Sequence, residues 1–529
     1  MSKQTENDII EAKSSEDMSE QPEDDIIEAK SSEEAITKIN EEIVNIIAWI
    51  SSLQTINFHE FEQNLIPRIL IIGKLFVLLF LCMREEHYIE THPNVEVEHK
   101  NQGPKSRIFA CFCGKIRYWR SYLYNLTGNG GHYPLDIELG LTQDGFSMLV
   151  QSYAIRLATK VSYAQTVVLL TMFLRWSPAQ RTNDPTVLGF GKHTNDWFEF
   201  QPAPEDDGEV LIIQIDSKAI PTATDEELKK RRGKRKANPH PGSGRHRSRA
   251  ARKNRHKKKR RKKGDKSKNG KMATVVVMYT LKLCCDGTLE GYINKRVYAS
   301  YAAKRHAVAI ARREASKRGF MEGDNKLVQI VTDGDNDLAR YIEELFPSAI
   351  HTIDVFHVME YLWFAVGSIF KEGSDELTEW VETQKEALYD GRISEIIVEI
   401  DRHIALLPKT GPGVKGRRER LEKVRKYLDK RIEKMNYKHL LEPDLEISSG
   451  MVEGAVKNVI AKRFDDGGKR WVKERAEALL QLRCIEINGD WDAFISFVHD
   501  RTKKQAQQSL KIPMLRTKEP ADLPTYGLV

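Results

Sequence analysis

The stretch Leu327–Trp363 constrains this chain more than any other, because two apolar runs within it each end in acid. Leu327–Val331 leads into Thr332-Asp333-Gly334-Asp335, and Ala349–Ile353 leads into Asp354-Val355-Phe356-His357. Between them Leu338, Tyr341, Ile342, Leu345 and Phe346 recur at spacings of three and four. Short apolar runs bounded by turn residues read as buried strands, and that spacing reads as a helix. The order is therefore strand, helix, strand, helix. In α/β sheets, ligands and catalytic groups collect beyond the carboxyl ends of strands. Carboxylates at such an edge suit metal ions and phosphates.

A chain of 529 residues is too long for one core and should form roughly three or four domains. Its net charge of +7 hides a strong polarity. Residues 1–40 hold twelve Asp and Glu against four Lys, whereas residues 229–271 hold 23 Lys and Arg against Asp265 alone. So local a basic block implies a polyanionic partner. It contains no aromatic residue, so it reads as a disordered arm that contacts phosphates rather than stacks on bases. Arg231, Arg232, Lys257, Lys258, Arg260 and Arg261 are its candidate DNA contacts.

Six scattered cysteines do not form a secreted disulfide framework, and the acidic N-terminus offers no signal peptide. The most apolar stretch, Leu65–Cys82, contains Pro67, Arg68 and Lys74, which favours a buried amphipathic helix over an interfacial one, and no membrane span is expected. A reducing cytoplasm, with the protein on the nucleoid, fits these features.

In chain order, residues 1–35 carry DIIEAKSSE twice, at 8–16 and 25–33, and read as a disordered acidic tail. Residues 36–105 read as a helical N-terminal domain. Residues 106–207 combine a small β element with a helix-turn-helix-like DNA-binding region, for which an ordinary helical hairpin is an equal reading. There Ser162 is expected to cap one helix, and Ser177 with Pro178 to start another. Cys111 and Cys113, with His132, leave a zinc site open, although a second clear ligand pair is absent. A catalytic core is expected over 208–357 and 446–500, interrupted by the basic arm at 229–271 and a helical insertion domain at 358–445. Residues 501–529 form a C-terminal tail.

Asp216 closes a second apolar run, Val210–Ile215. With the basic arm set aside, a first strand, a hairpin pair, a helix and a fourth strand separate Asp216 from Asp333. That is the chain order of a ribonuclease-H-like α/β sheet, in which the first and fourth strands are neighbours. Adjacent strands lie about 4.8 Å apart, so their terminal carboxylates can converge on one cation. Glu453, early in a helical segment beside Gly450, Gly454 and Ala455, is the candidate third acid. Oxygen ligands select Mg²⁺, with Mn²⁺ possible, and two ions about 3.5–4 Å apart suit phosphoryl transfer. Asp335 reads instead as the cap of the following helix.

From about Ile108 to Asp500 the chain resembles the DDE transposases of bacterial insertion sequences, the ISKra-like group in particular. The matching text is GKIRYWRSY, PLDIELGL at Pro134–Leu141, IQIDSKAIPT, VTDGD, TIDVFHVMEYLW, ISSGMVEGAVKNVIAKRF and GGKRW. Asn125–Gly130 stands where relatives often carry a Cys-rich knuckle. The resemblance implies that Asp216, Asp333 and Glu453 are the catalytic, metal-holding triad. It also implies that Asp354 and His357 flank the site, with a buried structural pair as the equal reading. His357 is then a candidate general acid. Arg463, Arg470 and Trp471 are candidate DNA contacts, with core packing the alternative for Trp471.

The implied activity is metal-dependent cleavage of transposon-end DNA, followed by strand transfer into target DNA. Synapsis of two ends would require at least a dimer. A structure-selective ribonuclease-H-like nuclease and a domesticated, non-catalytic DNA-binding protein are the alternatives. Deleting residues 229–271 should weaken DNA binding and flatten its dependence on salt, measured by fluorescence anisotropy across a salt series. An unchanged salt slope would exclude the arm as a phosphate contact.

Overall fold

The computed structural model describes residues 26–92, 99–126, 131–141, 143–224, 226, 271–321, 326–371, 373–465 and 470–509. The basic-arm residues Arg231, Arg232, Lys257, Lys258, Arg260 and Arg261 lie outside them, as does most of the duplicated tail. The chain divides into two compact units, Met1–Thr186 with Asp492–Val529, and Val187–Trp491.

The first unit opens with β1 (Ile27–Glu28), α1 (Ser32–Ser52) and α2 (Phe58–Thr91). Ser31 caps α1 by accepting from the Glu34 N–H, and Asn57 caps α2 by accepting from that of Glu60. The second copy of the repeat is thus ordered from residue 26, which corrects the expectation of a disordered tail through residue 35. Ile27 pairs with Ile116, and Ala29 is fully buried. Apolar burial, which the acidic composition masks, anchors the segment.

β2 (His99–Cys111) and β3 (Gly114–Asn125) form an antiparallel hairpin, and β4 (Gly131–His132) pairs with β3. Leu75, Leu78 and Leu81 of α2 pack with Phe109, Ile116 and Tyr118 of that sheet. By length and apolarity α2 is long enough to cross a membrane. Its C-terminal half, however, is built into this protein core, with Lys74 and Glu85 buried there too.

After α3 (Pro134–Glu138), α4 (Met148–Lys160) and α5 (Tyr163–Leu174) are joined by only Val161 and Ser162. Ser162 and Gln165 form the reciprocal capping box. The helix expected to start at Ser177 does not. Arg175 ends α5 in the left-handed region at φ 63°, and Trp176 turns inward to donate to the Phe112 carbonyl at 3.2 Å. Ser177 donates to the Pro178 carbonyl instead of capping. A single 3₁₀ turn then precedes α6 (Asn183–Gly191).

In the second unit, α7 (Thr194–Phe200) precedes a five-stranded sheet. It contains β5 (Val210–Ile220), β6 (Lys271–Leu283), β7 (Leu289–Ser300), β8 (Leu327–Thr332) and β9 (Ile350–Ile353), in the order β7-β6-β5-β8-β9. β6 runs antiparallel to both β5 and β7, whereas β5, β8 and β9 run parallel. α8 (Lys304–Lys317) and α9 (Asn336–Leu345) cover one face, packing Ala307, Val308, Leu338 and Ile342 on Leu211, Ile213, Ile215 and Ile330. Because side chains alternate along a strand, Gln214 and Asp216 on β5, and Gln329 and Asp333 on and after β8, share the opposite face.

α10 (Val355–Val366) is followed by the insertion helices α11 (Asp375–Tyr389), α12 (Ile393–Leu406), α13 (Val414–Asp429) and α14 (Tyr437–Leu441). The chain then returns as α15 (Gly450–Val456), a π-helical run Lys457–Asp465, and α16 (Lys473–Ile487). α17 (Trp491–Ser509) closes the described chain.

His351 on β9 meets the Thr332 hydroxyl through Nε2 at 2.9 Å. Burial pushes its imidazole from the ordinary 6.5 down to about 3, with Lys434 and Arg431 pressing the same way and Glu343 opposing. Above pH 6.5 the ring is neutral folded or unfolded, and its contribution to stability is complete. Below that, the unfolded chain binds a proton that the fold refuses, so stability drains between about 6.5 and 3, by at most about 1.4 kcal/mol per pH unit. Urea unfolding of His351→Asn should therefore lose stability with acid less steeply than the wild type.

Candidate active site

Parallel pairing of β5 with β8 ends at Ile215 opposite Thr332, so Asp216 and Asp333 are the next residue on each strand. β5 itself does not end there. It continues to Ile220, with Asp216 opposite Val275 of β6. The strand end expected at Asp216 is thus only the end of its parallel ladder. Asp216 accepts from the Ser217 N–H at 2.6 Å, and Asp333 from the Asp335 N–H at 3.0 Å. Asp335 caps α9 by accepting from the Asp337 and Leu338 N–H groups, and pairs with Lys304 at 2.6 Å. It matches its reading as a cap.

The third acid arrives through buried amides. Gln329 accepts from the Glu446 N–H at 3.0 Å and donates to the Glu446 carbonyl at 2.6 Å, as a neighbouring strand residue would. Gln214 donates to the Ser448 carbonyl and accepts from the Val452 N–H, both at 3.0 Å. These bonds stitch residues 446–452 to the sheet face that carries Asp216 and Asp333, and so bring α15, with Glu453, over it. Asp354 adds a second tie. Buried to 3 % exposure, it caps α10 through the Phe356 N–H and accepts the Ser449 hydroxyl at 2.5 Å. Both its oxygens are engaged in holding structure, and neither bonds His357.

The carboxylates feel one another. Burial holds the Asp216 carboxyl above its ordinary range, with Asp333 and Asp354 pushing the same way and the Ser217 N–H and His357 pulling back. Burial, then Asp354, Asp216 and Glu360, raises Glu453. An all-oxygen donor set under mutual repulsion fits a hard divalent cation, which would remove that repulsion. The described residues nevertheless contain no gathered group of three His, Cys, Asp or Glu ready to hold a metal. Cys111, Cys113 and His132 are likewise not gathered into one.

His357 lies edge-on to Tyr361 and Tyr427, which stack at 3.9 Å, and its Nδ1 is 3.4 Å from Glu360. Tyr427 donates to the Asp333 carbonyl at 3.0 Å, and Arg431 to the Gly334 carbonyl at 2.6 and 2.9 Å. The insertion therefore grips the backbone of the Asp333 turn. Gly334 has φ 81°, and a Cβ there would sit 2.8 Å from the Tyr427 hydroxyl, so only glycine suits the position.

Of the expected DNA contacts, Arg470 is exposed, but Arg463 is buried with its guanidinium 4.8 Å over the Trp471 ring. Trp471 bridges to Thr222, exchanges backbone bonds with Pro221 and Ala223, and donates to the Phe464 carbonyl. Packing thus occupies Arg463 in place of the DNA-facing role expected of it, and for Trp471 the contacts fit the core-packing alternative. Sequence reading missed a different surface. Phe356, Trp363 and Phe364 are exposed on α10, and Lys423 lies 5.2 Å over the Phe364 ring. The available signal was the aromatic run of α10 with a cation-rich α13 later in the chain, which sets Lys423 and Arg420 over the Phe364 ring.

A transposase family model of the DDE ISL3 type matches residues 252–453. The match supports a transposase function. With it comes the enzyme class, a polynucleotidyl transferase or endonuclease. The matched span contains Asp333, Asp354 and His357 and ends on Glu453, and Asp216 precedes it. Among solved structures, the Drosophila P element transposase strand transfer complex is similar at 10% identity, covering 67% of this chain and 95% of that one. Its TM-score is 0.30, too slight a likeness to carry an argument. No curated protein matches the sequence.

Gln214→Leu would leave the Ser448 carbonyl and the Val452 N–H without their amide partner. It should cost about 1–3 kcal/mol in denaturant unfolding. DNA cleavage should fall further than that loss of folded protein explains, because Glu453 loses its tether. Cleavage that simply tracks the folded fraction would dissociate Gln214 from positioning.

Proposed function

We propose that this chain is a DDE transposase of the ISKra-like group. Asp216, Asp333 and Glu453 would hold two Mg²⁺, or Mn²⁺, on a ribonuclease-H-like core. What supports the reading is the placement of the three acids toward one sheet face. Asp216 and Asp333 directly follow the last parallel pair of β5 and β8, and Glu453 is on a helix whose approach is bonded to that face by Gln214 and Gln329. The strand order β7-β6-β5-β8-β9 supports the core assignment.

Bound cations would activate the attacking oxygen and stabilise the leaving one. The chain's own residues bind and orient. In the first reaction, water attacks a phosphodiester at the transposon end and the 3′-oxygen departs. In the second, that 3′-hydroxyl attacks a target phosphodiester, so one bond forms as one breaks. His357, which acts electrostatically on Asp216, is assigned to protonate the departing 3′-oxygen.

The basic arm supports a role in holding double-stranded DNA, both terminal inverted repeats and target. Its roots, Ile220 and Lys271, are paired four residues beyond Asp216, about 13 Å along the strand. Two transposon ends in one synapse call for at least a dimer.

The test incubates purified protein with labelled transposon-end DNA, target DNA and Mg²⁺. Wild type should give joined products and Glu453→Gln neither cuts nor joins. Nicking without joining would favour a structure-selective nuclease, and activity retained in Glu453→Gln or Asp333→Asn would remove the triad. In the same assay, full strand transfer by a folded His357→Gln variant would remove its role as general acid.

A further inference from the structure

The hairpin of α1 and α2 is unfinished as a monomer. No residue of α1 from Asn40 onward is buried, and none of α2 before Lys74, yet both stretches are rich in isoleucine, leucine and phenylalanine. The helices run antiparallel: Trp49 stacks on Phe61 at 5.6 Å, whereas Ser32, at the other end of α1, donates its N–H to Glu86. A helix pair needs its apolar faces covered, and two helices alone cover only one seam.

Each helix carries a second seam. The inner one on α1 is Ala35, Ile39, Glu42, Ile46 and Trp49, buried or half-buried at alternating spacings of four and three. The residue after each inner position gives Ile36, Asn40, Ile43, Ile47 and Ile50, all exposed and all apolar but Asn40. On α2 the inner positions Leu65, Arg68, Ile72, Leu75, Leu79 and Cys82 are followed in the same way by Ile66, Ile69, Gly73, Phe76, Phe80 and Met83, exposed except at Gly73, which lies against Cys113.

A one-residue step rotates the seam by about 100° in a constant sense along a helix. Because the two helices are antiparallel, those rotations carry both outer seams to the same side of the hairpin. The result is one two-helix apolar face in coiled-coil register, half of a four-helix bundle.

We propose that this face is covered by the same face of a second copy of the chain, forming a two-fold, antiparallel four-helix bundle. The nine exposed apolar residues of the outer seams are 37–59 % exposed. Together they present on the order of 800 Å², the share each partner contributes to a standard interface. Both seams belong to one chain and match in period, so a two-fold axis sets α1 of one copy on α2 of the other without a third component. No charged residue falls between Ile43 and Leu53, and between Ile69 and Met83 only Lys74, itself buried in the core. That burial, with Leu75, Leu78 and Leu81, also argues against a bilayer, which would require the core side of α2 to be surrendered.

The test reads mass rather than activity, so it stands apart from the catalytic reading. Full-length wild type at micromolar concentration should sediment as a dimer. Ile47→Glu/Ile69→Glu, altered only at exposed positions, should sediment as a monomer with unchanged circular dichroism and melting temperature. Phe80→Ser should weaken self-association by roughly tenfold or more, which keeps the proposal testable if the double variant loses helix. A monomeric wild type, a dimeric double variant, or an unshifted Phe80→Ser dissociation constant overturns it. So does wild type that stays monomeric and floats with anionic lipid vesicles.

Discussion

The amide groups of Gln214 and Gln329 hold the acidic edge of the second unit together. A chain crossing a buried sheet face brings backbone N–H and carbonyl groups that cannot remain unpaired. A glutamine amide can answer both at once, because it donates and accepts from one side chain. Gln329 does so for Glu446, and Gln214 for Ser448 and Val452. Apolar residues at these two places would pack as well and orient nothing. Placed two and four residues before Asp216 and Asp333, the amides relate the arriving helix to the same strands that present those acids.

The turn after β8 is constrained from the other direction. Tyr427 and Arg431 reach it from within the insertion, on and just past α13, and bond to the carbonyls of Asp333 and Gly334. Gly334 permits this by taking a positive φ and leaving no Cβ in the way. These bonds go to backbone carbonyls, so they restrain the turn without themselves occupying the Asp333 carboxylate. The insertion thus helps hold the candidate site, and Asp354 does similar work on α15 through Ser449.

Much of this architecture was legible in the residues. Apolar runs located β5, β8 and β9, three-and-four spacing located α9, and Asp335 and Ser162 cap as local chemistry requires. What misled was also local. Ser177-Pro178 has the composition of a helix start, but the left-handed Arg175 and the burial of Trp176 redirect the chain before it can begin. The acidic repeat reads as unstructured because its composition hides the anchoring residues Ile27 and Ala29. Arg463 and Trp471 look like a nucleic-acid surface in a linear reading, and the fold turns them onto each other.

By itself the sequence determined the alternation of strands and helices, the acids that follow the apolar runs and the isolation of positive charge in one arm. These depend on periodicity and composition, which act over a few residues. Only the tertiary structure decided which acids share a face and which amides tether Glu453. It alone revealed that the insertion grips the Asp333 turn and that an apolar seam lies open along the first helical hairpin. Each of those joins residues far apart in the chain, and such pairings are selected by burial and hydrogen-bond satisfaction in the assembled core.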